Sequence, residues 1–141
     1  MLAKIRKDWQ SRPWWMTLMF YFCAYMTVIY MPFDIFLKPV ADDQEVWFGF
    51  LLTGWWAKAT EPLHWLIYGL LAYGFYKRKR WMWPWAAIYV LQIVIAMFVW
   101  NILEPNGAGW IGGLIAAGVF TIPAIALWRA RTFFHKEVTH A

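Results

Sequence analysis

Charge is scarce in this sequence. Only 15% of its 141 residues are Asp, Glu, Lys or Arg, against about 25% in an ordinary soluble domain. That shortfall, beside an apolar fraction of 62%, excludes a chain kept in solution by a charged surface. Cysteine is nearly missing: Cys23 stands alone, so an intramolecular disulfide framework is excluded and the redox compartment is not indicated. There is no glycine-rich phosphate loop, lipidation box, internal repeat, low-complexity segment or polar domain linker. Nucleotide-binding folds and multi-domain arrangements therefore have no support.

What is present is tryptophan (13), phenylalanine (11) and long apolar runs. Four helical segments are predicted, at about 14–33, 46–76, 82–103 and 110–128. About 20 apolar residues span the hydrocarbon of a bilayer. The first run is too long for the core of a signal peptide and no small-residue cleavage site follows it, so it reads as a retained membrane helix. Basic residues orient the chain. Lys4, Arg6, Lys7 and Arg12 precede the first segment, Lys77, Arg78, Lys79 and Arg80 separate the second from the third, and Arg129, Arg131 and Lys136 follow the fourth. The opposite side holds only Lys38 and Lys58, with Asp34, Asp42, Asp43, Glu45 and Glu104. This positive-inside asymmetry predicts one all-α domain over 1–141, a four-transmembrane-helix bundle. Its termini are expected in the cytoplasm of a bacterial cytoplasmic (inner) membrane. The formal net charge of +5 then belongs to membrane topology and anionic lipid rather than to nucleic acid.

Within this apolar chain the stretch GWWAKATEPLHW, residues 54–65, places Lys58, Glu61 and His64 three apart. Asp42 and Glu45 stand in capping-box relation, which predicts a helix starting near Asp43. Residues 43–57 are then an interfacial or re-entrant helix, or continue into a long second helix kinked or broken near Pro62. Either way Lys58 lies at the outer interface, where its stem can reach water. Glu61 and His64 lie deeper, where ionisable groups usually face a cavity or the bundle interior. Trp65 and Tyr68 extend their face. Cys23, Thr27, Tyr30 and Asp34 on the first helix, and Trp85, Tyr89, Gln92 and Ala96 on the third, offer matching stripes. Together they predict an aromatic-lined pocket open to the outer leaflet.

A carboxylate beside an imidazole suits general acid–base work; the structural counterpart is an ion pair bracing helix 2. Glu61 and His64 are the catalytic candidates, with Asp34, Trp65, Tyr68, Tyr89 and Gln92 as the ligand-binding set. Two ligands fall short of a zinc site, so no metal is expected, and no cofactor is indicated. The tail histidines His135 and His140 read as solvent-exposed. The functional expectation is binding of a hydrophobic or amphiphilic, lipid-like small molecule, with isomerase-like acid–base chemistry as its catalytic extension. Two alternatives stand beside it: a non-catalytic accessory subunit of a larger membrane complex, and a small proton-coupled transporter. Gly109, Gly113, Ala117 and Thr121 recur every four residues, a stripe for close helix packing within the chain or for a homodimer seam.

Four segments with cytoplasmic termini, Trp47-Phe48 upstream of Pro62, and YVLQIVIAMFVWNILE with Gln92 inside and Glu104 at its end resemble the EXPERA family. That family comprises sterol isomerases of the emopamil-binding type and the sigma-2 receptor. The similarity spans roughly residues 18–130, with Asp34 matching an acidic residue near the end of the family's first helix. It implies a four-helix fold with a long, proline-kinked second helix and an intramembrane cavity for an apolar or cationic amphiphile. The isomerases carry a His and a Glu in the first helix, and this first segment has neither, so no catalytic residue carries over.

Overall fold

The computed structural model describes residues 12–135; Lys4, Arg6, Lys7, Lys136 and His140 lie outside them. The chain is mostly helical. Helix α1 runs Trp14–Phe36, three residues beyond its predicted end, with a π-helical turn over Met26–Tyr30. Pro32 explains the wide turn: it has no N–H for the Val28 carbonyl, and just ahead of it the Met31 N–H reaches back five residues to Met26 O. Helices α2 (Trp55–Lys77), α3 (Met82–Leu103) and α4 (Gly109–Arg129) follow, then a short α5 (Arg131–His135). Of these, α1, α3 and α4 are long and apolar enough to cross a membrane. Between 17% and 28% of their most apolar windows is buried. Most of each helix therefore turns outward, including Trp14, Ile111 and Ile122, a surface suited to lipid and not to water.

The segment before α2 corrects the helical expectation for residues 43–57. It is a β-hairpin, with β1 (Gln44–Trp47) antiparallel to β2 (Phe50–Thr53) and Trp47 opposite Phe50. Phe48 and Gly49 both have positive φ (53° and 94°), as a two-residue type I′ turn requires. Val, Trp, Phe and Thr favour the pleated strand, and Gly54, also at positive φ, separates the hairpin from α2. These local preferences override the Asp42–Glu45 capping pattern. Helix α2 thus begins at Trp55, not near 46, and it is unbroken at Pro62.

The helices form two intimate pairs, α1 with α2 and α3 with α4. Gly113 of the small-residue stripe faces α3, where a Cβ would lie 3.1 Å from Phe98 O. The apolar core lies toward the end where the described residues begin and end, around Met16, Phe75, Met82, Ala86, Leu127 and Phe134. There Arg12 donates to the last carbonyls of α2, Phe75 O at 3.1 Å and Tyr76 O at 2.6 Å. The hairpin closes the opposite end, its tip Gly49 against Val99 of α3.

Candidate functional site

The predicted constellation separates into two sites at different depths. At the hairpin end, α1 brings Asp34, the connector after it brings Lys38 and Asp43, and α2 brings Lys58 and Glu61. Lys38 Nζ lies 2.9 Å from both Asp34 Oδ1 and Asp43 Oδ1. Lys58 Nζ lies 3.1 Å from Asp43 Oδ2 and 3.4 Å from Glu61 Oε2. It also donates to the Asp34 and Lys38 carbonyls near the C-terminal end of α1, where a helix dipole favours a cation. Asp34, Asp43 and Glu61 are all buried, at 1%, 0% and 0% exposure. Burial alone would raise the Asp43 pKa, but the Lys38 ammonium, the neighbouring Glu61 carboxyl group and the Lys58 ammonium outweigh it and hold the carboxyl below its ordinary range. Burial would lower Lys38, and its bonds to Asp43 and Asp34 instead push it above the usual lysine value. One atom from each carboxylate falls within 4.8 Å of the others. The two ammonium nitrogens sit at these three carboxylates, so the arrangement is a lysine–carboxylate lattice.

His64 is not paired with Glu61. Its Nδ1 is 2.9 Å from Glu45 Oε2 on β1, and its ring stacks on Trp47 with centroids 4.1 Å apart and planes within 9°. The hairpin therefore supplies the partner that a helical reading of 43–57 turned away. Trp65 is a brace: its Nε1 donates to Thr27 O at 2.7 Å, in the π turn, and its ring meets Phe36 edge-on. Gln92 is half-buried, and Trp85 of the predicted α3 stripe faces outward at 64% exposure.

The second site is a cavity of about 250 Å³ where the two helix pairs face each other. Cys23 and Phe22 of α1, Tyr68 and Leu71 of α2, Tyr89 of α3 and Phe120 of α4 are among its walls. The Tyr68 and Tyr89 hydroxyls are within reach of each other, their rings 6.4 Å apart and nearly perpendicular. Tyr68 lies seven residues beyond Glu61, or about 10 Å along the axis. Phe75 and Leu127, also in the lining, lie in the half of the bundle nearer the termini. The expected pocket around Asp34, Glu61 and Gln92 is thus displaced: of the predicted site residues, Tyr68 and Tyr89 line this cavity, and the charges assigned to it lie in the lattice instead. His64 is the nearest link between the sites, its ring centroid 6.3 Å from that of Tyr68.

Sequence reasoning passed over Lys38, Asp43 and Glu45 and treated Lys58 as an interfacial bystander. The Asp34–Lys38 and Lys58–Glu61 spacings of four and three were the available signal, since such pairs share a helix face. Nothing local indicated that a connector would carry Asp43 between them. No protein-family model, curated protein or solved structure matches this chain.

Proposed function

We propose that this chain is a four-span protein of a bacterial inner membrane that binds a lipid-like molecule in the cavity between its helix pairs. Helix α2, with 23 residues, is about 35 Å long, and it packs along α1. That supports its crossing beside the three more apolar helices. Arg12, the Lys77–Arg80 turn and Arg129 gather at the termini end, which favours that end as cytoplasmic.

The tyrosine pair in an otherwise apolar cavity carries the functional reading. The volume of about 250 Å³ falls just below the about 300–1,000 Å³ usual for drug-sized ligands, which suits a small occupant. Its apolar walls suit a hydrocarbon body, and two phenolic hydroxyls offer one point for a hydroxyl or carbonyl. The EXPERA resemblance, with its amphiphile cavity, points the same way. Acid–base chemistry in this setting falls to His64 with Glu45 as its orienting partner, because Glu61 is engaged in the lattice.

Native mass spectrometry of the full chain, extracted in mild detergent, tests the proposal. A co-purifying apolar molecule with one oxygenated group is expected. Leu71→Trp, which fills the cavity, should abolish its retention, and Tyr89→Phe should weaken it about tenfold, as loss of one hydrogen bond of about 1.4 kcal/mol does. Unchanged retention in Leu71→Trp would place the ligand elsewhere and defeat the reading.

A further inference from the structure

We propose that the lattice at the hairpin end is a proton-binding site, with one exchangeable proton held between the Glu61 and Asp43 carboxyl groups. Three carboxylates face two ammonium groups, so full ionisation would leave one uncompensated negative charge. The carboxylate side chains carrying it are 0–2% exposed. An unpaired buried charge costs several kcal/mol even after relaxation. A proton is the cation that removes that cost without needing space, and both lysine nitrogens already sit at the carboxylate oxygens.

The distances choose the acceptor. Asp34 has an ammonium at 2.9 Å, and Asp43 has one at 2.9 Å and another at 3.1 Å. Glu61 has only Lys58, at 3.4–3.5 Å, so it is the least compensated carboxylate. Its Oε2 is fully buried and accepts no hydrogen bond among the described residues; the same is true of Asp34 Oδ2 and of both Asp43 carboxylate oxygens, which add to the negative field, but the Asp43 oxygens each have an ammonium within 3.1 Å. The Glu61 and Asp43 side chains are within hydrogen-bonding reach, so a protonated Glu61 can donate to the Asp43 carboxylate. Two carboxyls this close share one proton because like charges oppose the second ionisation. Lys58 keeps its charge through the α1 carbonyls.

The groups facing the proton are Asp34, Lys38 and Tyr30 from α1 and its end, Asp43 from the connector and Lys58 from α2; Glu45 is tied to His64 on the adjoining face. Loss of the proton to water at the hairpin end sets the Glu61 and Asp43 carboxylates against each other. Asp43 immediately precedes β1 and its carbonyl accepts from Gly54 N at 3.0 Å, so the repulsion acts at the root of the hairpin. Protonation thereby fastens α1, the hairpin and α2 together, and deprotonation loosens them.

Infrared spectroscopy of the full chain in lipid nanodiscs decides the matter. The wild type at neutral pH should show the carbonyl band of one protonated carboxylic acid, shifting in D₂O. The band should vanish in Glu61→Gln. It should also vanish in Asp43→Asn, where two carboxylates balance two lysines and Glu61 stays ionised. Circular dichroism reports the fold of each variant. If Glu61→Gln does not fold, Asp43→Asn and the wild-type spectrum still decide. Absence of the band from the wild type, or its persistence in a folded variant, overturns the assignment.

Discussion

Lys38 shows how a half-buried lysine keeps two buried carboxylates charged at the edge of an apolar bundle. Its ammonium holds two carboxylates at once, and the mutual stabilisation raises its own pKa while depressing that of Asp43. The signs fix the pH window. A raised lysine contributes stability that is complete below its unfolded pKa of about 10.4 and is lost as pH rises through the higher folded value. A depressed aspartate contributes stability that is complete above about 3.9 and is lost as pH falls through the lower folded value. The Lys38–Asp43 contribution is therefore flat across the neutral range, and any variation of stability there comes from other groups. Removing the ammonium strands Asp34 and Asp43 without it. Lys38→Met should thus cost about 3–5 kcal/mol at neutral pH, as expected for breaking a buried pair, measured by reversible unfolding in mixed micelles. A cost below about 1 kcal/mol would class the contact with solvent-screened surface pairs.

At the scale of elements, the hairpin organises the charged site, and its turn is the place to test it. Gly49 has a φ of 94°, and a Cβ there would lie 2.3 Å from Val99 Cβ. Gly49→Ala should cost at least about 1–2 kcal/mol from the left-handed backbone alone, with the clash in addition, and should separate Glu45 from His64. Gly118→Ala on α4 is the matched control, since nothing lies within 4 Å of its Cβ position; it should be neutral or slightly stabilising through helix propensity. Equal melting temperatures for the two variants would contradict the seating of the hairpin on α3. The hairpin also marks where the sequence stopped being legible. The apolar lengths of α1, α3 and α4 announced those helices to within three residues at each end, because span length is a one-dimensional property of the chain. Phe48-Gly49 is a weaker turn signal than Asn-Gly, and the Asp42–Glu45 spacing imitated a helix start. Once 43–57 was read as helix, Glu45 could not be placed opposite His64, nor Asp43 between two lysines. Tyr68 and Tyr89 were legible as polar positions on apolar helices, whereas the depth of their cavity depends on how the two helix pairs meet.

At the scale of the whole molecule, charge distribution and the open question of α2 converge on one experiment. Helix α2 carries Lys58, Glu61 and His64 near its start, which lowers its apolar character relative to its three neighbours. The same residues are folded inward against α1 and the hairpin, so the lipid-facing side is set by Leu63, Leu66 and Leu70, each at least 46% exposed. A helix judged by which side chains face outward can span where its average composition argues against it. Single cysteines at Asp42, Arg80 and Asn106 bracket α2 and α3, and the native Cys23 is buried, so its background labelling is low. A membrane-impermeant thiol reagent applied to intact cells should label Asp42→Cys and Asn106→Cys, and should reach Arg80→Cys only after the membrane is permeabilised. All three positions are exposed in the fold, so a failure to label reports sidedness rather than burial. Labelling of Arg80→Cys from the same side as Asp42→Cys would mean that α2 does not cross. Basic residues would then lie on both faces of the membrane, against the asymmetry that orients the chain.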